Sequence, residues 1–223
     1  MITRLLLTFQ ILQYIQCYAI CFYSICFSVI KPCIYWNDLA LNAIAEHGNF
    51  FYQATLNDGR KFTCDKLPST INIYGANVDV VFGTEQQGIL SPTSISNKLV
   101  LERLILDNAT ENTGFLLWTS SCCLSCIFQG GNGARQKRTK YFLVACNESQ
   151  TIIFFGTFTD SDSLVNKCCN IVSHKLKCDE TQYNIQFLSC SCQLTKPEMQ
   201  KITKKHKSST QKKLIANRKK LQF

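Results

Sequence analysis

Cysteine is the residue type with the most chemistry to offer in this 223-residue sequence, which contains 14 of them. Thiols in such number form disulfides in an oxidising compartment or bind a metal ion. Cys123 and Cys126 have the two-residue spacing of a zinc knuckle, and Cys190 with Cys192 could supply a second pair of ligands. The spacing alone therefore leaves both uses open.

Two adjacent pairs, Cys122 with Cys123 and Cys168 with Cys169, suit a zinc site poorly. Neighbouring side chains project in different directions, whereas the four ligands of a tetrahedral site must converge. We therefore favour disulfides and expect no metal ion, a choice that depends on the redox compartment.

The amino terminus indicates that compartment. Arg4 is followed by an uncharged stretch over residues 5–30, which ends at Lys31. This pattern predicts a signal peptide over residues 1–28, or alternatively an uncleaved membrane anchor formed by residues 5–30. Either interpretation places the rest of the chain outside the cell or in a secretory lumen, and a secreted protein is the expectation.

Three further features fit secretion. Asn108 and Asn147 begin Asn-x-Ser/Thr triplets and are predicted glycosylation sites. Arg135–Arg138 matches the dibasic pattern of secretory convertases, although an exposed hairpin loop explains it equally well. Cleavage after Ala19 or Ser28 leaves an odd number of cysteines, so one thiol would stay free or pair with another chain.

Short apolar runs, rich in β-branched and aromatic residues, recur between residues 45 and 160 and are separated by turn-forming residues. The spacing predicts eight strands without helices between them, which indicates an antiparallel barrel or sandwich. A three- and four-residue apolar period then predicts a helix over about residues 161–177. The predicted strands cover residues 49–56, 61–64, 70–74, 77–83, 98–106, 115–120, 141–146 and 151–158, with a further short strand at 183–188.

This order of eight strands, a helix and a short cysteine-bearing strand resembles the lipocalin family. Gly48-Asn49-Phe50 looks like the family's Gly-x-Trp motif with Phe in place of Trp. The resemblance covers residues 33–192 and implies an all-β fold, an eight-stranded antiparallel up-and-down barrel with a C-terminal helix and a short extra strand. Cysteine positions similar to those of the family imply two disulfides, Cys33–Cys146 and Cys64–Cys190.

A lipocalin-like barrel implies a secreted carrier of a small hydrophobic ligand, such as a fatty acid, retinoid or sterol. Alternating strand residues would line its cavity, although strand aromatics fill a dry core about as often. The candidate ligand-binding residues are Phe50, Tyr52, Tyr74, Phe82, Trp118, Phe142, Phe154 and Phe158.

Catalytic residue patterns are absent from the sequence. His47 and His174 lie far apart and belong to no acid–base or nucleophile motif, and neither glycine-rich phosphate-binding motif occurs. We therefore expect no enzyme activity and no cofactor.

Charge is concentrated in a C-terminal tail over residues 193–223. Residues 196–223 contain ten Lys or Arg against the single acid Glu198, and so carry the whole net charge of +9. The tail is predicted to be disordered, and either solubilises the protein or binds anionic glycans or lipid head groups. Its lack of aromatic residues among the charges argues against specific nucleic-acid binding. An alternative function follows, a disulfide-stabilised extracellular interaction module that binds a protein or polyanionic partner.

Overall fold

The computed structural model describes residues 17–57, 67–110, 112–120, 122–130, 139–147, 151–176 and 180–192, with side chains in these ranges except at 54–57 and 174–176. The helices are α1 (described over residues 17–30), α2 (Asp38–Asn57), α3 (Ile95–Asn108) and α4 (Ser161–Leu176), with a 3-10 turn at Cys33–Tyr35. The strands are β1 (Thr70–Ile73), β2 (Ala76–Leu90), β3 (Thr113–Trp118), β4 (Cys122–Gly130), β5 (Thr139–Asn147), β6 (Ile152–Phe158) and β7 (Thr181–Cys192).

The seven described strands form one open antiparallel sheet in the order β1-β2-β7-β3-β4-β5-β6. β7 is the last strand in the sequence, yet it lies between β2 and β3. Cys190 is in register with Val80 of β2, and Gln186 is in register with Leu116 of β3. The predicted all-β eight-stranded barrel is therefore wrong, and the fold is mixed α/β.

Helices cover both faces of the sheet, and this explains the composition of its middle strands. β3, β4 and β5 are buried on both faces, so they carry continuous apolar runs instead of alternating apolar and polar residues. We call the side covered by α1 and α2 the α1 face, and the side covered by α3 and α4 the α4 face.

The α4 face is covered by two amphipathic helices. The Ser94 side chain caps α3 by accepting a hydrogen bond from the Asn97 amide, and the Asp160 carboxylate accepts one from Ser163 at the start of α4. Each helix buries one stripe of apolar side chains and leaves its other side in solvent. The buried helix residues on this face are Leu101, Ile105, Leu164, Val165, Cys168, Cys169, Ile171 and Val172.

The α1 face has a different construction, because α1 lies between the sheet and α2. Every described α1 residue except Val29 is buried. Tyr18 packs edge-on against Trp118 of β3 with ring centroids 5.1 Å apart, while Phe22 lies 6.0 Å from Phe51 of α2. A helix enclosed on all sides has no need of a polar face, which accounts for the uncharged sequence of this segment.

The two serine hydroxyls of α1 are satisfied within the protein. The Ser24 hydroxyl donates to the Cys21 carbonyl oxygen at 2.7 Å and lies 2.7 Å from the Ser125 hydroxyl of β4. The Ser28 hydroxyl donates to the Ile25 carbonyl oxygen at 2.7 Å. These bonds allow two serines to be buried without an unpaired hydroxyl.

Several predicted elements differ from the observed ones. The predicted strand at 49–56 lies within α2, and the one at 98–106 lies within α3. Residues 121–140, for which no strand was predicted, contribute β4 to the middle of the sheet. The predicted strand at 61–64 lies outside the described residues.

The signal-peptide and anchor interpretations of the amino terminus stay predictions. Residues 17–30 form a core helix here, and residues 17–28 of this helix fall inside both predicted segments. Of the helices in the described ranges, none combines the length and hydropathy that crossing a membrane requires.

Candidate functional site: thiols between α1 and the sheet

α1 presents a series of thiols toward the sheet. Cys17 and Cys21 are four residues apart and lie on one side of the helix, whereas Cys26, five residues beyond Cys21, lies about 140° further around the helix axis. Each is at most 1% exposed and belongs to the apolar core of the α1 face. The thiols they meet are carried by β4, β5 and β7.

Cys17 lies where α1 approaches the end of β5. Its Sγ donates a hydrogen bond to the carbonyl oxygen of Asn147, the last residue of that strand. The Asn147 side chain is fixed in turn, because its Oδ1 accepts bonds from the Thr151 amide at 3.2 Å and the Thr151 hydroxyl at 2.8 Å. A thiol and a carboxamide residue thus meet at one end of the sheet.

One turn further along α1, Cys21 joins a three-thiol cluster with Cys123 of β4 and Cys146 of β5. The two strand cysteines are direct cross-strand partners, and Cys21 Sγ donates to the Cys123 carbonyl oxygen at 3.4 Å. Burial opposes ionisation of Cys21, but hydrogen bonds from Cys123, Cys146 and Ser125 outweigh it and lower its pKa. Burial, followed by the neighbouring Cys21, raises the pKa of Cys123, and the hydrogen bond with Cys21, followed by burial, raises the pKa of Cys146. Ionisation of one of these thiols therefore opposes ionisation of the other two.

Cys26 forms a separate pair with Cys190 of β7. The two Sγ atoms are 3.9 Å apart, and both side chains are at most 2% exposed. Burial, followed by the adjacent Cys190 thiol, raises the pKa of Cys26 well above its usual value.

The possible zinc knuckle is excluded by its position on a strand. Cys123 and Cys126 are three residues apart on β4, so Cys123 packs into the α1 face and Cys126 into the α4 face. On the α4 face, Cys126 lies near Cys168, where burial raises the pKa of both thiols. Among the described residues, no group of three or more potential ligands is arranged to hold a metal ion.

The predicted disulfide cysteines occupy different parts of the fold. Cys33, in the 3-10 turn, and Cys146 are both free thiols here, and Cys146 lies in the Cys21 cluster. Cys190 lies against Cys26, and Cys64 is outside the described residues. Both pairings stay predictions.

The glycosylation candidates Asn108 and Asn147 also stay predictions. Asn108 ends α3, and its amide donates to the Leu104 carbonyl oxygen at 2.9 Å. Asn147 ends β5 beside Cys17. The Arg135–Arg138 pattern lies outside the described residues.

The aromatic residues predicted to line one cavity lie on both sides of the sheet. Tyr52, Tyr74, Phe82, Trp118 and Phe142 belong to or pack against the core of the α1 face. Phe154 and Phe158 pack against the core of the α4 face. Phe50 lies on α2 and is 68% exposed. The sheet separates these groups, so together they line no common cavity.

His47 is the imidazole whose side chain the structure describes. Its ring stacks on Tyr23 at 6.1 Å and meets Tyr74 edge-on at 5.1 Å. Tyr74 has a φ of 53° in the β1–β2 turn, an uncommon backbone conformation for a residue other than glycine. Burial raises the pKa of Tyr74 to about 12, so its hydroxyl stays protonated at neutral pH.

Sequence reasoning missed the α1 thiols because it assigned them to a cleavable segment. The four-residue spacing of Cys17 and Cys21 is the helical signal that the sequence carries there. The partners on β4, β5 and β7 could not be found without the strand order.

Comparison with known proteins leaves the fold as the main guide. No family model and no curated protein matches this chain. Among solved structures, it is similar to the ubiquitin-specific protease encoded by a tegument protein of murine cytomegalovirus, solved in complex with a ubiquitin-based suicide substrate. The TM-score is 0.52 at 10% sequence identity, over 81% of this chain and 80% of that chain. The resemblance to lipocalins is therefore wrong, and because the neighbour is an enzyme, its fold gives no support to the expected lack of enzyme activity.

Proposed function

We propose that this protein is a thiol-dependent protease that acts on ubiquitin or a ubiquitin-like protein, with Cys17 as its nucleophile. The observation that carries the proposal is the contact between Cys17 and Asn147 at one end of the sheet. The similarity of fold to a ubiquitin-specific protease supplies the substrate class. The hypothesis of a hydrophobic-ligand carrier depended on a barrel interior, which an open sheet does not have.

The residue types at this end of the sheet suit acyl transfer. Papain-like proteases use a cysteine, a histidine and an asparagine, in which the asparagine orients the imidazole that activates the thiol. Cys17 and Asn147 are two of these three residue types, and the observed contact joins the Cys17 thiol to the main-chain carbonyl oxygen of Asn147. The thiolate attacks the carbonyl carbon of the scissile amide, the amine leaves with a proton, and water hydrolyses the resulting thioester.

A second candidate is a protein that binds a ubiquitin-like partner without cleaving it. Two observations favour it. Cys17 is 1% exposed, and the one described imidazole, that of His47, packs on Tyr23 and Tyr74. Reactive cysteines are commonly accessible and lie beside a base or a positive charge. The same experiment separates the two candidates.

The test is covalent capture by ubiquitin carrying a C-terminal vinyl sulfone. We expect the wild-type protein to form a one-to-one adduct at Cys17, identified by peptide mass spectrometry, and Cys17→Ala to form none. Cys192→Ala is the matched control, because Cys192 is a partly exposed thiol of β7. Thermal melts of both variants check that each is folded.

Each outcome has a distinct meaning. Labelling at Cys17 supports the protease, and alanine variants of His47, His174 and His206 then identify the base. Saturable ubiquitin binding without an adduct supports the second candidate. Labelling confined to Cys192, or neither binding nor labelling, contradicts both.

A further inference from the structure

We infer that Cys26 and Cys190 are a disulfide-forming pair that fastens α1 covalently to β7 in an oxidising environment. This is a modification site separate from the Cys17 end of the helix, and it does not depend on the proposed protease activity. It joins residues 164 positions apart in the sequence.

The positions of both sulfur atoms are set by rigid elements. Cys190 lies in register with Val80 on the β2–β7 ladder, and its amide donates to the Asn112 carbonyl oxygen at 3.1 Å. Cys26 lies on α1, one turn before Ile30. Both side chains belong to the core of the α1 face, as do Cys190 and Val80. The sulfur atoms already face each other at 3.9 Å, so side-chain rotation and a small shift of α1 bring them to the roughly 2.05 Å of a disulfide bond.

Cys26 has fewer alternative thiol partners than Cys21, the other α1 cysteine that meets strand thiols. Cys21 has two thiol neighbours, Cys123 and Cys146, and could exchange between them. The thiol that raises the pKa of Cys26 is Cys190, whose Sγ lies 3.9 Å from the Cys26 Sγ. One product is therefore expected from this pair.

The chemistry requires a disulfide oxidant, for which oxidised glutathione serves. One thiol loses its proton and attacks the glutathione disulfide, which releases reduced glutathione and leaves a mixed disulfide. The second thiol then loses its proton and displaces the remaining glutathione. Two thiols are oxidised, one glutathione disulfide is reduced to two thiols, and one protein S–S bond forms.

Burial indicates when this reaction occurs. Both side chains are at most 2% exposed, so a bulky oxidant reaches them poorly in the folded protein. We therefore expect the bond to form during folding, as α1 docks on β7.

The test refolds the full chain in a buffer of oxidised and reduced glutathione, then blocks free thiols and maps disulfide-linked peptides by mass spectrometry. We expect a cross-linked peptide that contains Cys26 and Cys190, with loss of both free thiols in parallel. The oxidised protein should melt about 5–15 °C above the reduced one, because the bond closes a long loop in the unfolded chain.

Single variants sharpen the result. Cys26→Ser should leave Cys190 free and remove the melting shift, and Cys190→Ser should leave Cys26 free. Cys168→Ser, a buried thiol on the α4 face, should keep both the cross-link and the shift.

If the serine variants fail to fold, wild-type peptide mapping decides alone. A Cys64–Cys190 link, or both thiols remaining reduced while other cysteines are oxidised, would overturn the inference. Either result leaves the Cys17 labelling experiment unaffected, so the two proposals fail separately.

Discussion

The two faces of the sheet bury similar apolar and thiol side chains, yet they are covered in different ways. On the α4 face, α3 and α4 each have one solvent-exposed side. In α3, for example, Leu99 is 57% exposed and Leu101 is fully buried. On the α1 face, the described part of α1 has no solvent-exposed side, because α2 covers the side that the sheet does not. The comparison teaches that an uncharged segment near a chain terminus can be the innermost helix of a fold. The predictions below test whether the α1 face depends on α1 as strongly as its packing indicates.

Deletion of residues 1–28 should have the largest effect. It removes most of α1 from the core, and each large apolar side chain there stabilises the fold by about 1.5–3 kcal/mol. Since a typical domain has a free energy of unfolding of only about 5–15 kcal/mol, the truncated chain should not fold. Circular dichroism should show no cooperative thermal transition.

Deletion of residues 196–223 is the matched control, and it should leave the transition unchanged, because the basic tail is predicted to lie outside the folded body. A cooperative melt after deletion of residues 1–28 would show that α1 is dispensable and would support the predicted cleaved signal peptide. Amino-terminal sequencing of the exported protein provides the independent check.

Alkaline pH should destabilise both faces. Burial raises the pKa of Cys33 on the α1 face and of Cys126 and Cys168 on the α4 face, so these thiols stay protonated in the folded state. In the unfolded chain they ionise near pH 8.5, so the stabilisation is complete below that pH and is lost as the pH rises. At pH 10, each buried thiol should lower the free energy of unfolding by about 2 kcal/mol relative to neutral pH.

Urea titrations under reducing conditions, from pH 7 to pH 10, measure the slope of the unfolding free energy against pH. Cys33→Ala and Cys168→Ala should each reduce it by about one proton, whatever their effect at pH 7. If only one variant changes the slope, the two faces differ in how well they exclude water.

The smallest of the three effects tests the contact between α1 and α2. A methyl group added at Gly48 of α2 would lie 2.7 Å from the Ile20 Cα of α1. Gly48→Ala should therefore destabilise the protein by about 1–3 kcal/mol, although alanine is ordinarily the better helix residue. Asn42→Ala, at an exposed position of the same helix, should change the unfolding free energy by less than about 0.5 kcal/mol. A Gly48→Ala variant as stable as the wild type would mean that α2 lies further from α1.

Apolar periodicity in the sequence identified the helix and strand segments that have one buried and one solvent-exposed side. The apolar period over residues 164–176 predicted α4, and the alternation of Val78 and Val80 predicted the first half of β2. Residues 49–56 were assigned to a strand because Phe50, Phe51 and Tyr52 favour strands locally, but packing against α1 placed them in a helix. Tertiary contacts overrode local preference there and in α3.

Elements buried on every side gave no periodic signal. β4 has apolar or small residues at successive positions, and it was not among the predicted strands. α1 matched the composition of an export signal for the same reason. The thiol clusters could not be predicted, because Cys21, Cys26 and their partners meet only through the strand order.

The position of β7 constrains how this protein can be made. β2 and β3 pair with β7 and not with each other, so the two halves of the sheet stay unjoined until the chain has been synthesised through Cys192. A high average sequence separation of contacts slows folding, and the open edges of β2 and β3 can pair with other chains in the meantime. The nascent protein therefore has a vulnerable interval that lasts until β7 has been synthesised, during which a chaperone that shields those two edges would protect it from aggregation.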